Sequence, residues 1–257
     1  MGEAKTVVVT GGNRGIGQAV AQLAAAGGHR VVVVSRGAAV DGFAHVTGDL
    51  SAARTTRAAA AAIAAACPRV DVLVHNAGIW PSRLARNEDG FEQAWFTNHL
   101  APFLLNHLLE DRVGRVVQVS AGLYVKGAVD PARTPVGDDF HAIRTYAGSK
   151  LANVLMLPLF AERWRAAGRT IDAVHPGVIR TGLGDRGGPV GLLLKAVKLT
   201  WATPEAGARN VVRLLDDTGG TGRYFVEERE VPIDPAGLDA GLARRLWDDA
   251  ARVLDVA

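Results

Sequence analysis

Thr6-Val7-Val8-Val9-Thr10 runs directly into Gly11-Gly12-Asn13-Arg14-Gly15-Ile16-Gly17. The first five residues are all β-branched, the composition of a short buried strand. Glycines directly after a strand permit a tight turn and let the backbone approach a ligand closely. A helix beginning in this turn would aim its unpaired N–H groups and positive dipole end at an anion such as a pyrophosphate. Strand, glycine turn and helix in that order read as the start of a βαβ unit. Gly11, Asn13, Arg14, Gly15, Ile16 and Gly17 are therefore the expected phosphate cradle.

The same pattern extends outward. Valine-rich runs recur at residues 7–9, 31–34, 70–74 and 116–119, with longer helix-like stretches between them. Strands alternating with helices imply an α/β protein with a mostly parallel sheet, and uninterrupted apolar strands imply burial on both faces. Ser51 is the expected cap of a helix through the alanines at 58–66, with Pro68 after its end. Pro204-Glu205 opens another helix, and residues 238–254 form an amphipathic C-terminal one. No repeat or long linker divides the chain, so one domain over residues 1–257 is expected. The irregular stretches at 121–145 and 181–203 are the expected substrate walls, because loops at the carboxyl ends of strands line the crevice of such a sheet.

Composition narrows the function. Of 257 residues, 48% are hydrophobic and 21% charged, enough apolar surface to fold. The 29 basic and 26 acidic residues leave a net charge of +3, too little to argue for nucleic acid. The single cysteine, Cys67, allows no internal disulfide. No secretory leader is evident, and no apolar run reaches the ~18 residues of a membrane span. A cytoplasmic protein is expected. No His, Cys or carboxylate set has metal-ligand spacing, so no metal site is expected.

The glycine spacing, G-x-x-x-G-x-G, resembles that of the short-chain dehydrogenase/reductase family. Asn76-Ala77-Gly78, Ser120, Tyr146-Ala-Gly-Ser-Lys150 and His175-Pro176-Gly177 follow in the family's order. The resemblance implies a single-domain Rossmann fold, a doubly wound, mostly parallel sheet of about seven strands with helices on both faces. It also implies a nicotinamide cofactor. The second strand ends Val34-Ser35-Arg36 without the acid that would hold a ribose 2′-hydroxyl. Arg36 can clamp a 2′-phosphate, with Ser35 and Arg14 assisting, so NADP(H) is expected. Asp49-Leu50 resembles the family's pair flanking the adenine; a loop carboxylate at a helix start is the competing reading of Asp49. Asn76 would support the sheet, with Ala77 and Gly78 leaving room for the cofactor. Pro176, Gly177, Val178 and Thr181 resemble the stretch that meets the nicotinamide carboxamide.

For the chemistry, Tyr146 and Lys150 lie one helical turn apart. A neighbouring ammonium is expected to lower the phenol's pKa, making Tyr146 a general acid or base. The resemblance implies that Lys150 also holds the nicotinamide ribose, that Ser120 orients the substrate oxygen, and that Asn98 supports a water linking Lys150 to solvent. It implies a structural place for His175. His75, His99 and His107 are expected to be packed or partly exposed, and a substrate contact at His141 is unsupported.

Asp89-Gly90-Phe91-Glu92, Ser149-Lys150-Leu151-Ala152-Asn153, Gly222-Arg223-Tyr224-Phe225 and the 26-residue step from Ser120 to Tyr146 narrow the resemblance. They are similar to the retinol dehydrogenase, WW-domain oxidoreductase and protochlorophyllide reductase branch. Three features depart from the pattern. Only twelve residues separate Arg36 from Asp49, so the intervening helix is expected to be a loop. Ala121 and Ala101 replace a serine and a glycine. Pro158 falls inside the catalytic helix and is expected to kink it.

The reading is an oxidoreductase moving hydride between nicotinamide and a carbonyl or alcohol of a fairly apolar small molecule. Residues 191–201 are either a lid over that molecule or an ordinary amphipathic helix. The alternatives are a double-bond reductase, a non-redox biosynthetic enzyme, and an NADP-binding regulator. A homodimer through the helices holding Asn98 and Tyr146 is left open.

Overall fold

The computed structural model describes residues 3–37, 39–180 and 201–256. Its strands are β1 (Thr6–Thr10), β2 (Arg30–Ser35), β3 (Ala44–Thr47), β4 (Val70–His75), β5 (Val113–Val119), β6 (Thr170–His175), β7 (Tyr224–Val226) and β8 (Arg229–Val231). They form one sheet in the order β3-β2-β1-β4-β5-β6-β7-β8, parallel throughout except for the antiparallel β7–β8 pair. This is a Rossmann-like α/β domain. The sheet has eight strands rather than about seven. β8 escapes the sequence pattern because Arg229-Glu230-Val231 is short, largely exposed and has no apolar run.

The helices are α1 (Gly15–Ala26), α2 (Ala53–Ala66), α3 (Gln93–Trp95), α4 (Ala101–Leu108), α5 (Ala142–Trp164), α6 (Pro204–Val212) and α7 (Ala240–Val253). Alternation along the valine strands feeds two cores. Val7, Val9, Val33, Val74 and Val117 pack with α1 and α6 on one face. Val8, Val32, Leu73 and Val116 pack with α2, α4, α5 and α7 on the other. Both faces are covered, as continuous apolar strands require.

Ser51 does not cap α2: its Oγ donates to Asp49 Oδ2 at 2.9 Å, and the cap residue is Ala52. The first N–H of α2, that of Ala53, instead donates to Asp89 Oδ2 at 2.7 Å. The nearby Asp49 carboxylate takes the serine hydroxyl, and a carboxylate far along the chain serves the helix. α5 runs as one helix through the exposed Pro158. Between β2 and β3 the described residues contain no helix, as the short spacing requires.

The far end of the sheet is tied by charge. Asp172 on β6 is fully buried and accepts from Arg115 Nη1 on β5 and from Arg223 Nη2, each at 2.8 Å. Its other oxygen accepts from the Arg223 backbone N–H at 2.9 Å. A buried carboxylate satisfied on both oxygens by two guanidiniums fixes β7 beside β6. No helix among the described residues is long and apolar enough to cross a membrane.

Candidate active site

The crevice lies at the carboxyl ends of β1 and β4, where the sheet order reverses. Gly11 and Gly15 sit at φ +65° and +57°, the left-handed region that favours glycine. Asn76 closes the turn from β4: its Nδ2 donates to the carbonyls of Thr10 (3.0 Å) and Gly11 (3.2 Å). Thr10 Oγ1 accepts in return from the N–H groups of Asn76 and Ala77. A Cβ on Gly17 would lie 2.3 Å from Asn76 Nδ2 and 2.4 Å from the Gly11 carbonyl oxygen, so only glycine fits. α1 begins with no side-chain cap and no acid in its first turn, which leaves its N-terminus to an anion. Glycine cradle and uncapped helix together fit a pyrophosphate.

Of the residues expected at the adenosine end, Arg14 and Arg36 are exposed and Ser35 is buried. Ser35 Oγ lies 2.9 Å from Nε2 of His45 on β3, a neighbour the sequence reading did not anticipate. Asn13 lies beside Gly37, with its Nδ2 3.2 Å from where a Cβ on that glycine would sit. Both Asp49 oxygens serve Ser51, accepting from its N–H (3.1 Å) and Oγ (2.9 Å). This is the geometry of a loop carboxylate, and it leaves acceptor capacity for a further donor. Leu50 is buried.

The chemical end is assembled by α5 and a π-turn. Between α3 and α4, residues Phe96–Leu100 widen into a π-helix, with the Ala101 N–H bonding the Phe96 carbonyl five residues back. Pro102 has no N–H to give the Asn98 carbonyl four residues earlier. Asn153 Nδ2 supplies that donor at 2.7 Å. The Asn98 side chain clamps the loop after β4 onto α5: it pairs with the Ile79 N–H (2.8 Å) and C=O (2.9 Å) and donates to Ser149 Oγ at 3.0 Å. Gly78 gives Asn98 room, since its Cβ would approach Asn98 Oδ1 to 3.3 Å and Lys150 Nζ to 3.9 Å.

Tyr146 and Lys150 are both 5% exposed. Lys150 Nζ donates to the Val119 carbonyl at 3.0 Å and stands 5.9 Å from the Tyr146 ring centroid. The Tyr146 ring is stacked on Trp80, with centroids 4.5 Å apart and planes 11° from parallel. Trp80 is itself pinned by a bond from Nε1 to the Ala142 carbonyl at 2.8 Å. Sequence reading missed Trp80, because nothing in the chain order places residue 80 against residue 146. Ser120 follows β5, its N–H held by the Val174 carbonyl at 2.8 Å, while its buried Oγ has no hydrogen-bond partner.

One electrostatic expectation is reversed. Burial pushes the Tyr146 phenol up to about 12, and burial brings the Lys150 ammonium down to about 8. Desolvation wins because both groups are buried, and burial disfavours the charged form of each. At neutral pH the pair is therefore a protonated phenol beside an ammonium, poised to give a proton rather than take one.

The stretch after β6 is described only as far as residue 180. The Pro176 carbonyl accepts from Asn210 Nδ2 of α6 at 3.1 Å, Gly177 has φ +98°, and Val178 is 57% exposed. Thr181 and residues 191–200 lie outside the described residues. His175 is half-buried, and burial holds its pKa below the usual value against the opposing pull of Glu227. His75 and His99 are buried beside Asn106 and Asn153 and pushed down to about 4, which marks them as packed. His141 caps α5, accepting from the Arg144 N–H. A cleft of about 540 Å³ lined by Asp130, Arg133, Thr134, Asp139, Phe140 and Arg144 adjoins the start of α5, but none of Asn98, Ser120, Tyr146 and Lys150 lines it.

A parallel sheet with a glycine cradle at its switch point and a buried Tyr-Lys pair beside it defines a class, and the profile of the short chain dehydrogenase family matches residues 5–187. The chain belongs to the short-chain dehydrogenase/reductase family of oxidoreductases. Within it, the chain falls in the retinol dehydrogenase branch. It is 33% identical over 281 residues to retinol dehydrogenase 14 of Mus musculus, covering 95% of this chain and 84% of that one. It is 33% identical over 278 residues to "Putative daunorubicin C-13 ketoreductase DnrU" of Streptomyces sp. (strain C5), covering 98% and 94%. Among solved structures, a short chain dehydrogenase from Burkholderia cenocepacia J2315 in complex with NADP superposes with a TM-score of 0.70 at 22% identity, over 86% of this chain and 95% of that one.

Proposed function

We propose that the protein is an NADP(H)-dependent carbonyl reductase, or the reverse alcohol dehydrogenase, acting on a fairly apolar small molecule. The observation that carries this reading is the buried Tyr146–Lys150 pair beside an unpartnered Ser120 hydroxyl, next to the glycine cradle. The ketoreductase and retinol dehydrogenase names of two relatives support a carbonyl or alcohol as substrate.

When bound, the nicotinamide supplies or accepts the hydride at the substrate carbon. The N–H groups from Asn13 to Gly17 would hold the pyrophosphate, and Arg36, with Ser35 and Arg14, would hold the 2′-phosphate. Asp49 and Leu50 would flank the adenine; Asn76, Ala77 and Gly78 would floor the site, and Pro176, Gly177 and Val178 would frame the carboxamide. Ser120 Oγ donates to the carbonyl oxygen and orients it. Tyr146 gives its phenolic proton to that oxygen as the carbon is reduced, and the ammonium of Lys150 stabilises the phenolate left behind. Lys150 has further N–H donors for the ribose hydroxyls beyond the one given to Val119. Asn98 keeps the loop after β4 on α5 and so keeps Lys150 in place. Trp80 covers one face of the phenol and limits water there.

Loss of reduced-nicotinamide absorbance against a panel of apolar aldehydes, ketones and quinones tests the reading, with NADPH compared with NADH and Tyr146→Phe as the control. Turnover with NADPH that Tyr146→Phe abolishes is expected, with an alcohol as product. A saturated product that keeps its carbonyl would replace the reading with double-bond reduction. Binding of NADPH without turnover on any substrate would remove it.

A further inference from the structure

Tyr224 on β7 has no place in the reaction as described, and its surroundings call for one. The side chain is 2% exposed, and its hydroxyl is a buried polar atom that makes no hydrogen bond of regular geometry. Such groups are rare, and phenylalanine would fill the same space without the desolvation penalty. The Ser120 hydroxyl is a second buried atom without a partner. The sheet brings the two together. Ser120 is tied to β6 through the Val174 carbonyl, and Tyr224 pairs with Ala173 on the other side of β6. The groups that bear on the Tyr224 hydroxyl are the Ser120 hydroxyl, Tyr124 and Tyr146. Tyr124 is already engaged, its hydroxyl accepting from the Asp234 N–H at 2.9 Å. The Tyr224 ring is fixed by packing on Tyr124, with centroids 4.9 Å apart. Its backbone is fixed by the neighbouring Arg223, whose N–H and guanidinium both bond Asp172.

We propose that Tyr224 is a positioning residue for Ser120: its O–H donates to Ser120 Oγ and so directs the Ser120 proton at the substrate oxygen. Ser120 then accepts from one phenol and donates to the substrate, and a donor that is itself hydrogen-bonded is the stronger donor. Three hydroxyls, those of Tyr146, Ser120 and Tyr224, converge on one substrate atom, two by contact and the third through Ser120. The substrate part of this inference rests on the carbonyl reductase reading; the pairing of the two hydroxyls does not.

The test is a cycle of Tyr224→Phe, Ser120→Ala and the double variant, read by steady-state kinetics and by thermal unfolding without substrate. Tyr224→Phe is expected to lower kcat about tenfold and leave KM for NADPH unchanged. The same change in the Ser120→Ala background is expected to have no further effect on kcat. The two melting shifts are expected to fall short of additivity by about 2 °C or more. An equal loss of kcat in both backgrounds, or no loss in either, overturns the proposal. If the wild type turns over no carbonyl substrate, the reductase reading fails, and the melting cycle still decides the pairing: additive shifts reject it.

Discussion

Replacing Gly17 with alanine tests the cofactor cradle most directly. The added methyl would stand 2.3 Å from Asn76 Nδ2 and 2.4 Å from the Gly11 carbonyl oxygen, well inside van der Waals contact. The Gly11 atom is backbone, so relief requires moving the turn itself or expelling the Asn76 side chain. Forcing a methyl into a packed site costs about 1–3 kcal/mol. Expelling Asn76 forfeits its bonds to Thr10 and Gly11, each worth about 1 kcal/mol. A loss of about 3 kcal/mol lowers the melting temperature of a domain this size by roughly 6–12 °C. Gly28→Ala is the control: Gly28 has φ +86° with nothing within 4 Å of its Cβ position, so it isolates backbone strain, worth about 1–2 kcal/mol. Circular dichroism melts of both variants, with NADPH titrated by fluorescence, give the answer. Gly17→Ala should melt well below Gly28→Ala and lose NADPH binding, while Gly28→Ala binds normally. A Gly17→Ala protein that melts within about 2 °C of wild type and still binds NADPH would refute the steric account.

Arg36→Asp should weaken NADPH by about 10–100-fold, the worth of one charged hydrogen-bonded contact, with little effect on NADH; unchanged preference by calorimetry would remove Arg36 from the 2′-phosphate. Burial of Lys150 and Tyr146 sets a pH signature in the cofactor-free protein. Lys150 drops from 10.5 to about 8, so between these values the unfolded chain holds a proton the folded chain has released, and stability from this group rises with pH. Tyr146 rises from 10.0 to about 12, so above pH 10 the unfolded chain has lost a proton the folded one keeps, and stability falls. Urea denaturation compared with Lys150→Met should show the rise in wild type alone; parallel curves would contradict it. Asp172→Asn breaks the ion cluster around a fully buried carboxylate and should cost about 3–5 kcal/mol, seen as an earlier urea midpoint; a midpoint close to wild type would show that the cluster contributes little. Trp247 of α7 packs on Phe103 of α4 and Phe160 of α5, so α7 lies over the helices for which a homodimer contact was left open. Light scattering should therefore give the mass of one chain, and a stable dimer would show that the chains meet elsewhere.

Much of the fold is legible because its information is local. The four valine runs fall on β1, β2, β4 and β5, and their lack of polar alternation follows from burial on both faces. Gly11, Gly15 and Gly17 can be read from the chain because each answers a backbone demand of its own turn. Tyr146 and Lys150 can be read because their spacing on one helix fixes their neighbourhood. What escaped depends on partners distant in sequence. Asp89 meets the start of α2, Trp80 meets Tyr146, and His45 meets Ser35 only once β3 has paired with β2. The direction of the Tyr146 shift escaped for the same reason: the spacing places an ammonium nearby, but how dry the site becomes depends on packing from Trp80 and the sheet.

The cover that α7 lays over α5 also bears on the order in which the chain becomes a protein. β1, β2, β4 and β5, with α1 and α2 beside them, are complete once residue 119 is made. The aromatic core around Phe103, Phe160 and Trp164 is closed by Trp247, roughly eighty residues after Trp164. At ordinary ribosomal speeds that gap lasts on the order of 4–17 s. For that time the growing chain displays an unfinished aromatic surface next to a nearly finished nucleotide pocket.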